Sequence, residues 1–208
     1  MLPKEFKPTH EYDLIRLGQD NDGGYLVEKK SIEDSKSLIT LGLGYDWTFE
    51  KDYKKLKNLP IYCYDHTVNY SAIKKRCRKF VGSYFFRLFK LKYVLKKNFF
   101  KELIRNIFLY IDYQKFFKKD AEHNELRIGN GKNGTKLKTI LDKKKEDLPA
   151  FIKIDIEGWE YPTLINCPDE YLSMVDKIAI EIHFGHDPDK LRTMDLIEKL
   201  SKCGFRLS

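Results

Sequence analysis

The stretch SLITLGLGYDWTFE, residues 37–50, constrains the fold more than any other part of the chain. Leu38, Ile39 and Leu41 read as a short buried parallel strand, and Gly42 and Gly44 then let the backbone turn tightly before a helix that begins near Trp47. Strand, glycine turn and helix in that order make a ligand cradle at the carboxyl edge of an α/β sheet. The next apolar run, residues 59–64, ends in Asp65, about twenty residues after the glycines. In doubly wound folds an acid at that strand tip accepts hydrogen bonds from ribose hydroxyls, so the spacing points to a nucleoside-bearing cofactor. A dinucleotide fingerprint asks for a third glycine three residues after the second, and Trp47 stands there instead. S-adenosylmethionine (SAM) carries no phosphate and asks only for the glycine turn and the ribose acid.

At 208 residues the chain fits one domain, 1–208, with a hairpin segment over 1–36 and an insertion over 70–120. Cys63, Cys77, Cys167 and Cys203 form no C-x-x-C pair, which argues against a zinc knuckle or a disulfide framework and for core thiols in a reducing, cytoplasmic setting. No apolar leader and no uncharged apolar run of membrane-spanning length is present. The formal charge of +8 is unevenly spread, because residues 74–119 hold 15 Lys or Arg against only Glu102 and Asp112. The basicity therefore belongs to the insertion, and the rest of the chain is net acidic.

Residues 14–18 and 24–28 alternate around the turn-rich QDNDG and predict a β-hairpin, either a plain turn with Asp22, Gly23 and Gly24 or a cover for the cofactor cleft. In the insertion, Phe85, Leu88, Phe89, Leu95, Phe99, Leu103, Ile107 and Ile111 recur at helical spacing and predict two amphipathic helices broken near residues 92–97. RIGNGKNG, residues 127–134, reads as a loop, and residues 139–148 as a short helix. Residues 151–156 form the next predicted strand and run straight into Asp155 and Glu157, carboxylates at the edge where open α/β sheets bind ligands. KIAIEIH, residues 177–183, predicts a further strand whose period of two sets Glu181 and His183 on one face. A helix over 188–202 and the start of a strand at 205–207 complete the reading.

Taken together, LITLGLGYDWTFE, IYCYD and above all KIDIEGWE resemble the FkbM-like family of SAM-dependent methyltransferases, over most of the chain outside the insertion. The resemblance implies a class I, Rossmann-like methyltransferase fold, a mostly parallel doubly wound sheet with SAM lying over the first two strand tips. By matching motif, Gly42, Leu43 and Gly44 would face the methionine part of SAM, Asp65 with His66 its ribose, and Asp155 and Glu157 the catalytic edge. The chain departs from the family pattern in its long insertion and in ending where a sixth strand would begin.

The expected reaction is transfer of the SAM methyl group to a hydroxyl of a sugar or glycan, with Asp155 and His183 as candidate bases and Glu157 beside them. A divalent metal on Asp155, Glu181 and Asp187, hard oxygen donors at strand ends, is the alternative to a metal-free base. Cations and aromatics alternate in the insertion, so Arg76, Arg78, Arg87 and Lys90 are expected to bind an acidic acceptor, against a reading in which the aromatics are only the insertion's own core. Nucleic-acid methylation is the competing enzyme reading; no Asn-Pro-Pro-Tyr-like element follows the fourth strand. A non-catalytic basic binding module is a third reading, and a homo-oligomer is possible on this sequence.

Overall fold

The computed structural model describes residues 7–8, 11–20, 23–89, 97–129, 131, 133–187 and 190–207, with the side chains of 87–89 and 97–99 left aside. Strands β1 (Leu14–Leu17) and β2 (Tyr25–Glu28) pair antiparallel as a separate ribbon. Helix α1 (Lys29–Asp34) leads into β3 (Ser37–Leu41), α2 (Thr48–Leu56) and β4 (Ile61–Tyr64). Next come α3 (Tyr70–Phe89), α4 (Lys97–Lys119), β5 (Glu122–Asn124), α5 (Leu137–Lys143) and β6 (Ala150–Ile154). The chain continues through α6 (Glu160–Ile165), α7 (Asp169–Leu172), β7 (Val175–Ile180) and α8 (Leu191–Lys202).

The five strands β3 to β7 form one sheet in the order β5-β4-β3-β6-β7, parallel at every pairing. This is the doubly wound arrangement expected of a Rossmann-like methyltransferase. Every residue of β3 and of β6 is buried, as parallel strands covered on both faces must be, and their apolar side chains feed two cores on opposite sides of the sheet. Leu41 pairs with Tyr64 on one side and Ile154 on the other, so three strands end level and their loops open together.

The central strand is tied to its neighbour at one point of very close approach. Gly42 has φ +83°, and a Cβ there would lie 1.6 Å from the Asp155 carbonyl oxygen. The first glycine of the loop is thus fixed by strand packing, before any ligand is considered. Gly42→Ala is expected to lower stability by at least about 1–3 kcal/mol, because the left-handed conformation is strained for alanine and the backbone must also separate. Urea denaturation measures it; an unchanged midpoint would show that the loop can shift without cost.

Several expectations are corrected in detail. Strand β6 stops at Ile154, one residue before Asp155, and β7 stops at Ile180, so Glu181 and His183 lie beyond the strand. The alternation of KIAIEIH continues past the pairing: Glu181 N–H still donates to the Ile154 carbonyl, but β6 has by then turned away and the chain winds into a 3-10 turn at Phe184–His186. The helix expected over 139–148 is α5 followed by a 3-10 turn at Lys145–Asp147, and α8 begins at Leu191, residues 188–189 lying outside the described residues. Residues 205–207 form no strand. Gly204 is left-handed, its N–H reaches the Ser201 carbonyl, and the Phe205 N–H reaches that of Leu200, a helix-ending motif that consumes the donor a new strand would need.

The insertion does form two helices, and they pack antiparallel: Tyr70 meets Tyr110, Arg76 meets Asn106, and Tyr84 meets Phe100. The expected break falls largely in residues 90–96, outside the described residues, as do Asp22 of the hairpin turn and Lys90.

Candidate active site

The loops after β3, β4 and β6, joined by residues 126–128, enclose a cavity of about 450 Å³. Gly42, Leu43, Gly44, Asp65, His66, Asp155 and Glu157 all reach its wall, so the residues expected at the cofactor do converge. Leu126, Ile128, Ile156 and Trp159 supply apolar surface, Lys153 a cation at the floor, and Gly23 of the N-terminal ribbon part of the rim. Such a volume lies within the range of small-molecule sites, about 300–1,000 Å³.

Asp65 has a task the sequence did not suggest. One carboxylate oxygen accepts from the Leu43 and Gly44 N–H groups at 2.9 and 3.0 Å. The other accepts from the Thr67 N–H and hydroxyl, both at 2.6 Å, and from the Val68 N–H at 3.2 Å. A carboxylate has about four lone-pair directions, so five donors within the chain leave no position for a ribose hydroxyl unless one of them yields. Burial alone would raise its pKa, but the bonds from Thr67, Leu43 and Gly44 outweigh it and hold the carboxyl below its ordinary range. Asp65 therefore clamps the glycine loop onto the tip of β4. Asp65→Asn should weaken both the fold and the cofactor site, since one of the clamp's acceptors becomes a donor. The depressed carboxyl adds stability above the unfolded value near pH 4 that is lost as pH falls through the folded pKa. Denaturation midpoints of the two proteins should therefore converge toward acid; a gap that stays constant with pH would deny Asp65 this role.

Beneath the loop sits a buried ion pair that the sequence reading passed over. Lys153 Nζ lies 3.4 Å from Glu50 Oε1, which also accepts from Thr40 Oγ1 at 2.9 Å, and both charged side chains are almost wholly buried. Glu50 Oε2 has no partner among the described residues. Lys153 also lies over the Tyr25 ring, 5.3 Å from its centre. A lysine in the otherwise apolar FIKI of β6 was the available signal.

At the β6 and β7 end, His183 is surrounded by acids. Its Nδ1 is 2.7 Å from Glu160 Oε1, and because a carboxylate only accepts, Nδ1 carries the hydrogen. Glu160 is completely buried and is itself held by the Ile156 N–H at 3.1 Å. The other ring nitrogen, Nε2, faces Glu157 at 3.5 Å, Asp155 at 3.7 Å and Glu181 at 3.8 Å. Burial works against the imidazolium, but the Glu160 bond and the charges of Glu160, Glu157 and Asp155 prevail and raise the His183 pKa. Burial and the Glu181 charge raise Asp155 against the pull of Lys153 and His183. The Tyr25 hydroxyl bridges Glu181 at 3.1 Å and Asp155 at 3.3 Å, with one proton between two acceptors. Tyr25 comes from β2, so the N-terminal ribbon reaches Asp155 and Glu181 at the carboxyl edge of the sheet.

Two further expectations change. Asp187 is not beside Asp155: its oxygens accept from the Arg192 and Thr193 N–H groups and the Thr193 hydroxyl, capping the start of α8. Among the described residues, the ligand atoms that come within 4.8 Å of one another belong to Asp155, Glu181 and His183. Nor does α3 or α4 reach the cavity wall among the described residues. Arg76 donates to Asn106 at 2.6 Å and stacks over Tyr45 at 4.6 Å, Arg78 points to solvent, and the Arg87 side chain and Lys90 lie outside the described residues. Glu160, Tyr25 and Lys153 are the site residues the sequence reading left without a role.

Residues 107–207 match the family model described as the Methyltransferase FkbM domain. The matched segment contains Asp155, Glu157, Glu160, Glu181 and His183, while the glycine loop and Asp65 precede it. No curated protein and no solved structure gives a significant match.

Proposed function

We propose, from the match of residues 107–207 to the Methyltransferase FkbM domain, that this chain transfers a methyl group from SAM to a hydroxyl of a sugar or glycan, with His183 as the base. SAM, the family's usual methyl donor, supplies an already activated methyl group, so the protein's work is alignment and removal of one proton. The observation that carries the reading is a histidine with Nδ1 locked by a fully buried glutamate and Nε2 directed toward Asp155, which lines the cavity. The cavity suits SAM chemically, with apolar surface at Leu126, Ile128 and Trp159 for adenine and acids at Asp46, Asp155 and Glu157 for the ammonium and sulfonium charges.

The acceptor assignment draws on the same edge. Glu157 and Glu181 are open to solvent and can accept hydrogen bonds from sugar hydroxyls. Four carboxylates around His183 would repel a phosphodiester, which disfavours nucleic acid as the acceptor.

His183→Ala should lower kcat by a factor of about 10² to 10⁴ while SAM affinity, read by calorimetry, hardly changes. The base acts only when neutral and its pKa is raised, so turnover should rise with pH through a midpoint above the ordinary imidazole value near 6.5. Glu160→Gln should lower kcat and move that midpoint down, because the partner favouring the imidazolium is gone. A midpoint that stays put in this variant would reduce Glu160 to a packing residue, and failure of the wild type to bind SAM would remove the whole reading.

A second reading rests on the convergence of Asp155, Glu181 and His183. These are two hard oxygen donors and an imidazole whose other nitrogen is held by a buried carboxylate, the outer-shell arrangement found behind metal-binding histidines. In that case a divalent cation would polarise the acceptor hydroxyl. Dialysis against a strong chelator should abolish turnover, restored by added Mg²⁺ or Mn²⁺, and undiminished turnover would leave His183 as a metal-free base.

A further inference from the structure

The α3–α4 hairpin bears a surface away from the cavity wall. Among the described residues only its near end is anchored, through Ile73, Tyr113 and Phe116 in the core beside β4 and β5. Farther out the helices have each other, with Leu103 buried and Tyr84 against Phe100. On the outer face of α4, Phe100 (50 % exposed), Ile104 (37 %), Phe108 (65 %) and Ile111 (39 %) follow one another at steps of four, four and three residues. That spacing stacks them in one stripe along the helix, roughly 16 Å long at 1.5 Å per residue. Lys115 and Lys118 continue the same face four and seven residues beyond Ile111, and Lys101 borders it. These lysines are exposed and have no ion-pair partner among the described residues.

We propose that this face docks the protein on an anionic lipid bilayer. Large exposed aromatic and branched aliphatic side chains, rimmed by uncompensated lysines, match a surface whose interior is apolar and whose headgroups are negative. No helix among the described residues is long and apolar enough to cross a membrane, so the hairpin lies on the surface or dips into it. A second copy of the chain fits poorly, because apposing two such faces sets like charges together from a segment holding 15 basic residues against two acidic ones. Nucleic acid fits poorly as well: it would meet the lysines, but Ile104 and Ile111 have no ring to stack on bases and would be left against a polar backbone.

The full chain is sedimented with vesicles of phosphatidylcholine alone and of phosphatidylcholine mixed with phosphatidylglycerol. Binding is expected only to the mixed vesicles and should decline with salt. Phe100→Ser with Phe108→Ser, and separately Lys115→Gln with Lys118→Gln, should each weaken it on the order of tenfold or more. Thermal melting should stay as in the wild type for the lysine pair, and Phe108→Ser alone, which leaves the Tyr84–Phe100 contact in place, reads the apolar arm if the phenylalanine pair loosens the hairpin. Absent binding, equal binding to neutral vesicles, or unaltered binding by both double variants overturns the proposal. So does an outcome in which vesicles are ignored while the phenylalanine pair dissolves a dimer seen by light scattering, or the lysine pair abolishes binding to an RNA oligonucleotide.

Discussion

The site depends on one carboxylate. Asp65 joins the glycine loop after β3 to the turn after β4 through five short donors, and its own carbonyl extends the chain of contacts to β5. There His123 Nε2 lies 3.2 Å from that carbonyl, which can only accept, so Nε2 carries the hydrogen and Nδ1 receives the Tyr113 hydroxyl at 2.6 Å. Burial lowers the His123 pKa and keeps the ring neutral, as this relay requires. Three parallel strands and the root of α4 are thereby held in one hydrogen-bonded frame. The strand packing at Gly42 supplies the other restraint, so the loop is positioned before a ligand arrives and binding need not spend free energy ordering it.

Charge is distributed with equal economy across the cavity. Lys153 sits below, neutralised in part by Glu50, and the acids Asp155, Glu157 and Glu181 stand at the far edge. A buried ion pair seldom adds stability in its own right, and Glu50 with one oxygen unpartnered among the described residues is a costly arrangement. Its position offers a reason: burial and Glu181 raise the Asp155 pKa, and Lys153 pulls against that rise. Tyr25 then shares one proton between Asp155 and Glu181, easing their repulsion.

The sheet was legible because apolar runs, glycines and terminal acids report burial and turning, which local residues control. The edge residues were legible only as far as the alternation carried them. Glu181 and His183 do come together beside Asp155 though the strand ends earlier, since alternate residues of an extended chain point the same way whether or not their amides are paired. Glu160 escaped because its meaning comes from folding back onto the Ile156 N–H and meeting a histidine 23 residues on, contacts that no spacing rule contains. Tyr25 escaped for the same reason at greater range. Asp187 misled as a hard donor near a strand end, although an acid shortly before a helix is equally a cap, and the backbone chose the cap.

The insertion and the cavity are separate surfaces with a narrow mechanical link. Arg76 in α3 stacks on Tyr45, a residue of the glycine loop, and is itself held by Asn106 of α4. On the other flank Asp112 of α4 accepts from the Trp47 indole at 2.8 Å and pairs with Lys51, both at the start of α2. The hairpin thus grips the two ends of the loop-to-helix segment that forms the cavity wall. Displacement of the hairpin's root would be passed to that loop, whereas its far apolar face, which among the described residues packs on the companion helix, stands away from the strand tips. Tyr45 and Trp47 are thereby the contacts that join the hairpin to the cavity loop.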